Sequence, residues 1–146
     1  MERQERSLVL LFRAGGESAA VRAADVQKVT PVGHVSRLPR LPAMVAGITQ
    51  HRGRVVTVVD AAQLLFRHGS VGADVGTARL LILERPARHI ALWVDAVDEI
   101  ESIRVGGDVL GERSAERPCL RVVQHRGRAL QLVDVERVMP ALEGFA

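Results

Sequence analysis

Catalysis or metal binding in this chain of 146 residues would have to come from its 5 histidines, its single cysteine or its 17 acidic residues. His51 and His125 stand beside Arg52 and Arg126, whose charge opposes a bound cation. Neither has a thiol or carboxylate nearby in sequence to complete a ligand set. Cys119 has no partner for an internal disulfide and, next to Pro118, reads as a small buried hydrophobe. Asp98, Glu99 and Glu101 could pair for general acid–base work, but acids at that spacing read as a solvated strand or loop edge. The stretch Gly69–Gly76 lacks the Gly-Lys-Ser/Thr of a phosphate-binding loop, and Gly15-Gly16 fits a tight turn. No nucleophile stands in a recognisable arrangement with a base, so the expectation is a non-enzyme without metal or cofactor.

Charge points to partners instead. The 20 basic and 17 acidic residues leave +3, and every basic residue except Lys28 is an arginine. Arg52, Arg54, Arg126 and Arg128 could neutralise phosphates, which makes a nucleic-acid module one reading. Against it stand the small net charge, an aromatic content of 3% and the absence of tyrosine, which leave little for base stacking. The distribution of charge is more telling. From Val26 to Val59 lie Lys28, Arg37, Arg40, Arg52 and Arg54 with no acid, a local +5, whereas Asp95 to Glu116 sets seven acids against Arg104 and Arg113, a local −5. That polarity suits an oriented protein–protein contact, or simply a solvated dipolar surface.

The elements that would present these charges are mostly strands. With 47% apolar residues the chain can bury a core, and its length suits one domain. Leu8–Arg13 and Ser18–Arg22 flank Ala14-Gly15-Gly16-Glu17 and predict a hairpin. Arg54–Val59, Arg79–Leu83 and Ile90–Val94 are nearly continuous apolar runs, which predict strands covered on both faces. No apolar run is long enough for a signal peptide or a membrane span, so the expectation is a soluble cytoplasmic protein without membrane insertion. Gln50 to Asp60 (QHRGRVVTVVD) recurs as Gln124 to Asp134 (QHRGRALQLVD), and the two stretches are identical wherever both read Q, H, R, G, R, V or D in register. The repeat predicts a strand–turn–strand–helix unit used twice. Gly53 and Gly127 supply positive φ at the turns, and Asp60 and Asp134 act as helix N-caps. The expected fold is mainly β, with two pseudo-symmetric five-stranded SH3-like barrels and short helices: subdomain one over about 8–67, a linker over about 68–77 and subdomain two over about 78–140.

Leu38 to Asp60 (LPRLPAMVAGITQHRGRVVTVVD) resembles the signature of CheW-type chemotaxis coupling proteins, which runs Pro, a spacer, Gly, an apolar strand, Asn-Leu-Arg-Gly, a second apolar strand and Asp-Leu. Ile90 to Ile100 is similar to that family's second-half strand pair around Val-Asp-x-Val. The resemblance runs from Leu8 to Met139 in the family's order. It implies intertwined subdomains, no catalysis, and a cytoplasmic scaffold in chemoreceptor arrays. The implied partners are a methyl-accepting chemotaxis receptor, a CheA-type histidine kinase and other CheW-like proteins.

Residue by residue, Arg52 matches the motif arginine that supports receptor coupling, Gly47 matches the glycine opening that strand, and Val97 and Ile100 match positions near the receptor groove. Read structurally, the same residues are a surface turn, a backbone requirement and core. Val26 and Lys28 fall on the kinase-facing surface, where the family usually places Glu at the position of Lys28. Gln50-His51 replaces Asn-Leu, Thr57 replaces a Pro, and Ala61-Ala62 replaces Leu-Arg. An accessory coupling protein that engages receptors without the kinase is therefore a second reading.

Overall fold

In the computed structural model, which describes residues 5–72, 74–84, 89–105 and 116–143, the strands are β1 (Glu5–Ala14), β2 (Glu17–Arg22), β3 (Val26–Pro31), β4 (Val45–His51), β5 (Arg54–Asp60), β6 (Arg79–Leu83), β7 (Ile90–Val94), β8 (Ala96–Val105), β9 (Leu120–His125) and β10 (Arg128–Val133). A π-helical turn covers Ala62–Phe66, a 3₁₀ turn covers Val135–Arg137, and helix α1 covers Val138–Glu143. Asp108, Glu112 and Arg113 of the acidic segment lie outside the described residues.

Burial on both strand faces explains the near-continuous apolar runs. In β6, Leu81 and Leu83 enter a central core while Leu80 and Ile82 enter a core on the opposite face; in β7, Leu92 and Ala91 divide the same way. The central core also takes Leu10, Phe12 and Val21 from the opening hairpin and Leu64, Leu65 and Phe66 from the π-helical turn. A third cluster of Val9, Ala20, Ile103, Val123 and Leu132 fills the other face of the hairpin's sheet. Cys119 is buried in the central core.

Two sheets result. Sheet I has the order β8-β1-β2-β10-β9 and sheet II the order β3-β6-β7-β5-β4. Read across, both give the same series of pairings: antiparallel, antiparallel, parallel, antiparallel. The repeated motif takes equivalent places as β4–β5 and β9–β10. Even single bonds repeat, since the Asp60 N–H donates to the Met44 carbonyl and the Asp134 N–H to the Cys119 carbonyl, both at 2.7 Å. The chain fills sheet II with β3 to β7 and sheet I with β8 to β10 plus the amino-terminal hairpin β1–β2. The expected linker over about 68–77 falls between β5 and β6, inside the run of sheet II.

Two expectations are corrected. The sheets are five-stranded as expected but are not closed barrels: β3 and β4, and likewise β8 and β9, are end strands bonded on one side. Pro31 ends β3, and the proline-punctuated segment after it contributes only an isolated Ser36–Ile48 bridge at the β4 edge. Asp134 stands at the N-cap position of the 3₁₀ turn but makes no capping bond with its side chain, which instead lies 3.6 Å from Arg121 Nε. Asp60 does receive such bonds, from the Ala62 N–H at 2.9 Å and the Gln63 N–H at 3.3 Å.

Candidate docking surface

The two repeated hairpins set the site geometry. Each closes with a two-residue turn whose residues both have positive φ: Arg52 (52°) and Gly53 (75°), then Arg126 (52°) and Gly127 (74°). This is the type I′ pattern that matches strand twist. The left-handed arginines were not legible from sequence, where glycine alone carried the turn signal.

Behind the first turn, β3 and β4 leave an open slot. One part, about 520 Å³, is lined by residues including Thr30, Ser36, Thr49 and Val55; a second, about 400 Å³, by Gln27, Arg52, Arg54, Glu84 and His89, and the two share His51 and Ile82. Among the described residues, Lys28, Arg52 and Arg54 have no ion-pair partner. His51 Nε2 is buried without a hydrogen-bond partner. Desolvation, then the charges of Arg52 and Lys28, hold its imidazole below the ordinary value.

Sheet I carries the equivalent slot, about 490 Å³, lined by Leu11, Glu101, His125, Arg126, Arg128, Ala129 and Leu130. Here the histidine is satisfied, with His125 Nε2 at 2.9 Å from Glu101 Oε2. Glu101 comes from β8, the edge strand equivalent to β3. It pairs with Val9, whose counterpart in β6 is Leu80, the partner of Thr30; Lys28, opposite Ile82, corresponds instead to Glu99, opposite Leu11. Thr30 therefore holds in sheet II the place that Glu101 holds in sheet I, and Lys28 the place of Glu99.

The other singled-out residues divide between the sheets. Gly47 lies at a bulge of β4 with φ 154°, and a Cβ there would run into the Ser36 carbonyl oxygen, so the backbone itself demands glycine. Val26 on β3 and Val97 on β8 pack partly buried against the central core. Ile100 is 61% exposed, and Leu8, 57% exposed, shares its sheet face through the Leu10–Ile100 pairing. Arg52 and Gly47 thus belong to sheet II, Val97 and Ile100 to sheet I. Sequence reasoning passed over Leu8 and Val55, because an apolar residue in a strand signals burial until the pairing is known.

Carboxylates also tie down the segment after the π-helical turn. Asp60 is 6% exposed and accepts from Ser70 Oγ at 2.6 Å and from the Val71 N–H, while Asp95 accepts from the N–H groups of Gly15 and Gly72. Arg117 donates to both oxygens of Glu17, at 3.0 and 2.9 Å, and to Gln131 Oε1 at 2.8 Å, with its guanidinium 5.4 Å from the Phe66 ring centre. Among the described residues no three His, Cys, Asp or Glu side chains gather as a metal site, and no helix is long and apolar enough to cross a membrane.

Two five-stranded sheets alike in pairing, each with a charged slot at an open edge, define the class of β protein to which the chain belongs. Residues 8–143 match the CheW-like domain, and the chain belongs to that family, the CheW-type coupling proteins of chemotaxis signalling. It is 28% identical over 143 residues to a chemotaxis protein CheW of Rhizobium meliloti (strain 1021), covering 92% of this chain and 88% of that one. It is 28% identical over 134 residues to protein FrzA of Myxococcus xanthus, covering 88% and 82%. Among solved structures, the scaffolding protein TtCheW from Thermoanaerobacter tengcongensis superposes with a TM-score of 0.74 at 17% identity, over 90% of this chain and 86% of that one.

Proposed function

We propose that this protein is a non-catalytic chemosensory scaffold that binds the cytoplasmic tip of methyl-accepting chemoreceptors and couples them to a CheA-type histidine kinase within signalling arrays. The observation that carries the reading is the family match over residues 8–143. Arg52 at the hairpin tip and the exposed Ile100 are the side chains offered to the receptor. Gly47 acts through the backbone it permits, and Val97 supports Ile100 from the core side. Binding energy comes from a few aliphatic contacts inside a polar rim, while the uneven charge orients the encounter.

One observation favours the second reading, an accessory protein that binds receptor without kinase. Lys28 and Arg52 put like charges around His51, and Val26 packs against the central core from the same strand as Lys28; this reading assigns that surface to the kinase. Titrating the receptor tip and the kinase regulatory domain separately, at physiological salt, tests both. Binding of both partners, with receptor affinity reduced by Arg52→Ala, supports the coupling scaffold. Receptor binding alone, with kinase affinity appearing in Lys28→Glu, supports the accessory protein. Binding of neither overturns both readings.

A further inference from the structure

The pseudo-symmetry of the molecule gives each slot a control in its sister. In sheet I the hairpin histidine, His125, is bonded to Glu101 of the edge strand. In sheet II the same hairpin, with the same His-Arg-Gly-Arg sequence, meets Thr30 at the place of Glu101 on the equivalent edge strand, with the charge of Lys28 close by, and His51 Nε2 is buried without a partner. We infer that the slot between β3 and the β4–β5 hairpin receives a carboxylate from an acidic segment of a protein partner, in the place that Glu101 occupies in sheet I, and that docking protonates His51.

Charge supplies the complementarity. Arg52 and Arg54 line the slot and Lys28 adds its charge to His51, while Glu84 is the slot's own acid and leaves His51 Nε2 unbonded. The remaining polar groups of that part are Gln27 and His89, one uncharged and one titratable, and the part on the other side of His51 adds one more titratable group, His34. A carboxylate entering there would offset at least two unpaired cations and accept a hydrogen bond from the imidazole. An opposite charge that close favours the protonated ring. Proton uptake and docking then reinforce one another by linkage, so association strengthens as pH falls through the range in which His51 titrates. The inference leans on the coupling reading only in taking a protein as the source of the carboxylate.

The experiment is an NMR titration of the His51 ring protons in the full chain, assigned with His51→Gln, with and without an acetylated Glu/Ala-rich peptide. The peptide should raise the His51 midpoint by about 1 unit. An isosteric Gln/Ala peptide should do nothing. Lys28→Glu should raise the midpoint with no peptide present and bind the acidic peptide roughly tenfold more weakly. The inference is overturned if saturating acidic peptide leaves His51 unmoved, if Lys28→Glu does so, or if inorganic phosphate or duplex DNA reproduces the shift at equal concentration. A kinase regulatory domain that binds without moving His51 also overturns it, while leaving the coupling reading intact; a peptide-induced shift in a protein that ignores the receptor supports the inference and removes that reading.

Discussion

Asp60 and Glu17 are carboxylates with different duties, and each makes a prediction at the scale of a single side chain. Asp60 is buried, and its oxygens satisfy the N–H groups of Ala62, Gln63 and Val71 and the hydroxyl of Ser70. Hydrogen bonds to a buried charge are strong, and removing the acceptor strands several donors at once. Asp60→Ala should cost about 3 kcal/mol, and Asp60→Asn, which keeps one acceptor oxygen, distinctly less; urea unfolding curves for both decide it, and equal losses would speak against the network. At Glu17, burial acts to raise the carboxyl, but the hydrogen bond and charge of Arg117, with those of His68, outweigh it and hold the group below 4.5. A carboxyl with a depressed folded value stabilises the fold above its unfolded value, and that stability is lost as pH falls through the folded value. Asp25 runs the other way, because burial, helped by Asp134 and Glu136 against the pull of Arg22, raises its carboxyl above 3.8. Stability measured by urea unfolding between neutral pH and the acid limb should therefore fall less steeply in Glu17→Gln than in the parent, with the Asp25 contribution common to both.

The hairpin turns carry the prediction at the scale of the element. Gly53 and Gly127 have φ near 75° with open space where a Cβ would sit, so a substitution there meets a backbone penalty and no collision. Gly53→Asn should cost under about 1 kcal/mol, whereas Gly53→Val, β-branched and averse to the left-handed region, should cost about 2 kcal/mol. Gly127 should behave alike, and Tm values for the four variants test whether the repeated turns are equivalent. The turns were legible in the sequence because eleven residues recur with little change and because Arg-Gly between apolar runs has few other uses. β6 and β7 were legible for a similar reason, since their apolar runs are bounded by polar residues at both ends. The Asp134 cap was read by analogy with Asp60 and failed, since the repeat preserves the aspartate but not the turn after it: Ala-Gln-Leu-Leu-Phe makes a π-helical turn, Val-Glu-Arg a 3₁₀ turn. The open edges and the return of β1–β2 to a distant sheet were not legible, because strand periodicity says which face is buried and nothing about which neighbour buries it. Lys28 near His51 was visible only as a departure from a family pattern; that Thr30 stands where Glu101 stands in the other sheet emerged from the pairing register.

The whole molecule is held as one unit by the route of the chain. Sheet I cannot form without β1–β2, which supply Val9 and Ala20 to its own core and Leu10, Phe12 and Val21 to the core shared with sheet II. The central core draws on both sheets and on the π-helical turn, so neither sheet keeps a complete apolar face when the other unfolds. Two repeats alike in pairing are thus made interdependent by exchanging a hairpin, and the unfolding transition should be single. Trp93 reports on sheet II and the ring protons of His125 on sheet I, and their thermal midpoints should coincide. Ile103→Val sharpens the test, because Ile103 lies in the core private to sheet I and the change should cost about 1 kcal/mol. If the sheets unfold together, the Trp93 midpoint falls by as much as that of His125, although the substitution touches nothing in sheet II. A Trp93 transition that stays in place while that of His125 moves would show two units folding side by side, and the hairpin exchange would then be a matter of connectivity with no energetic consequence.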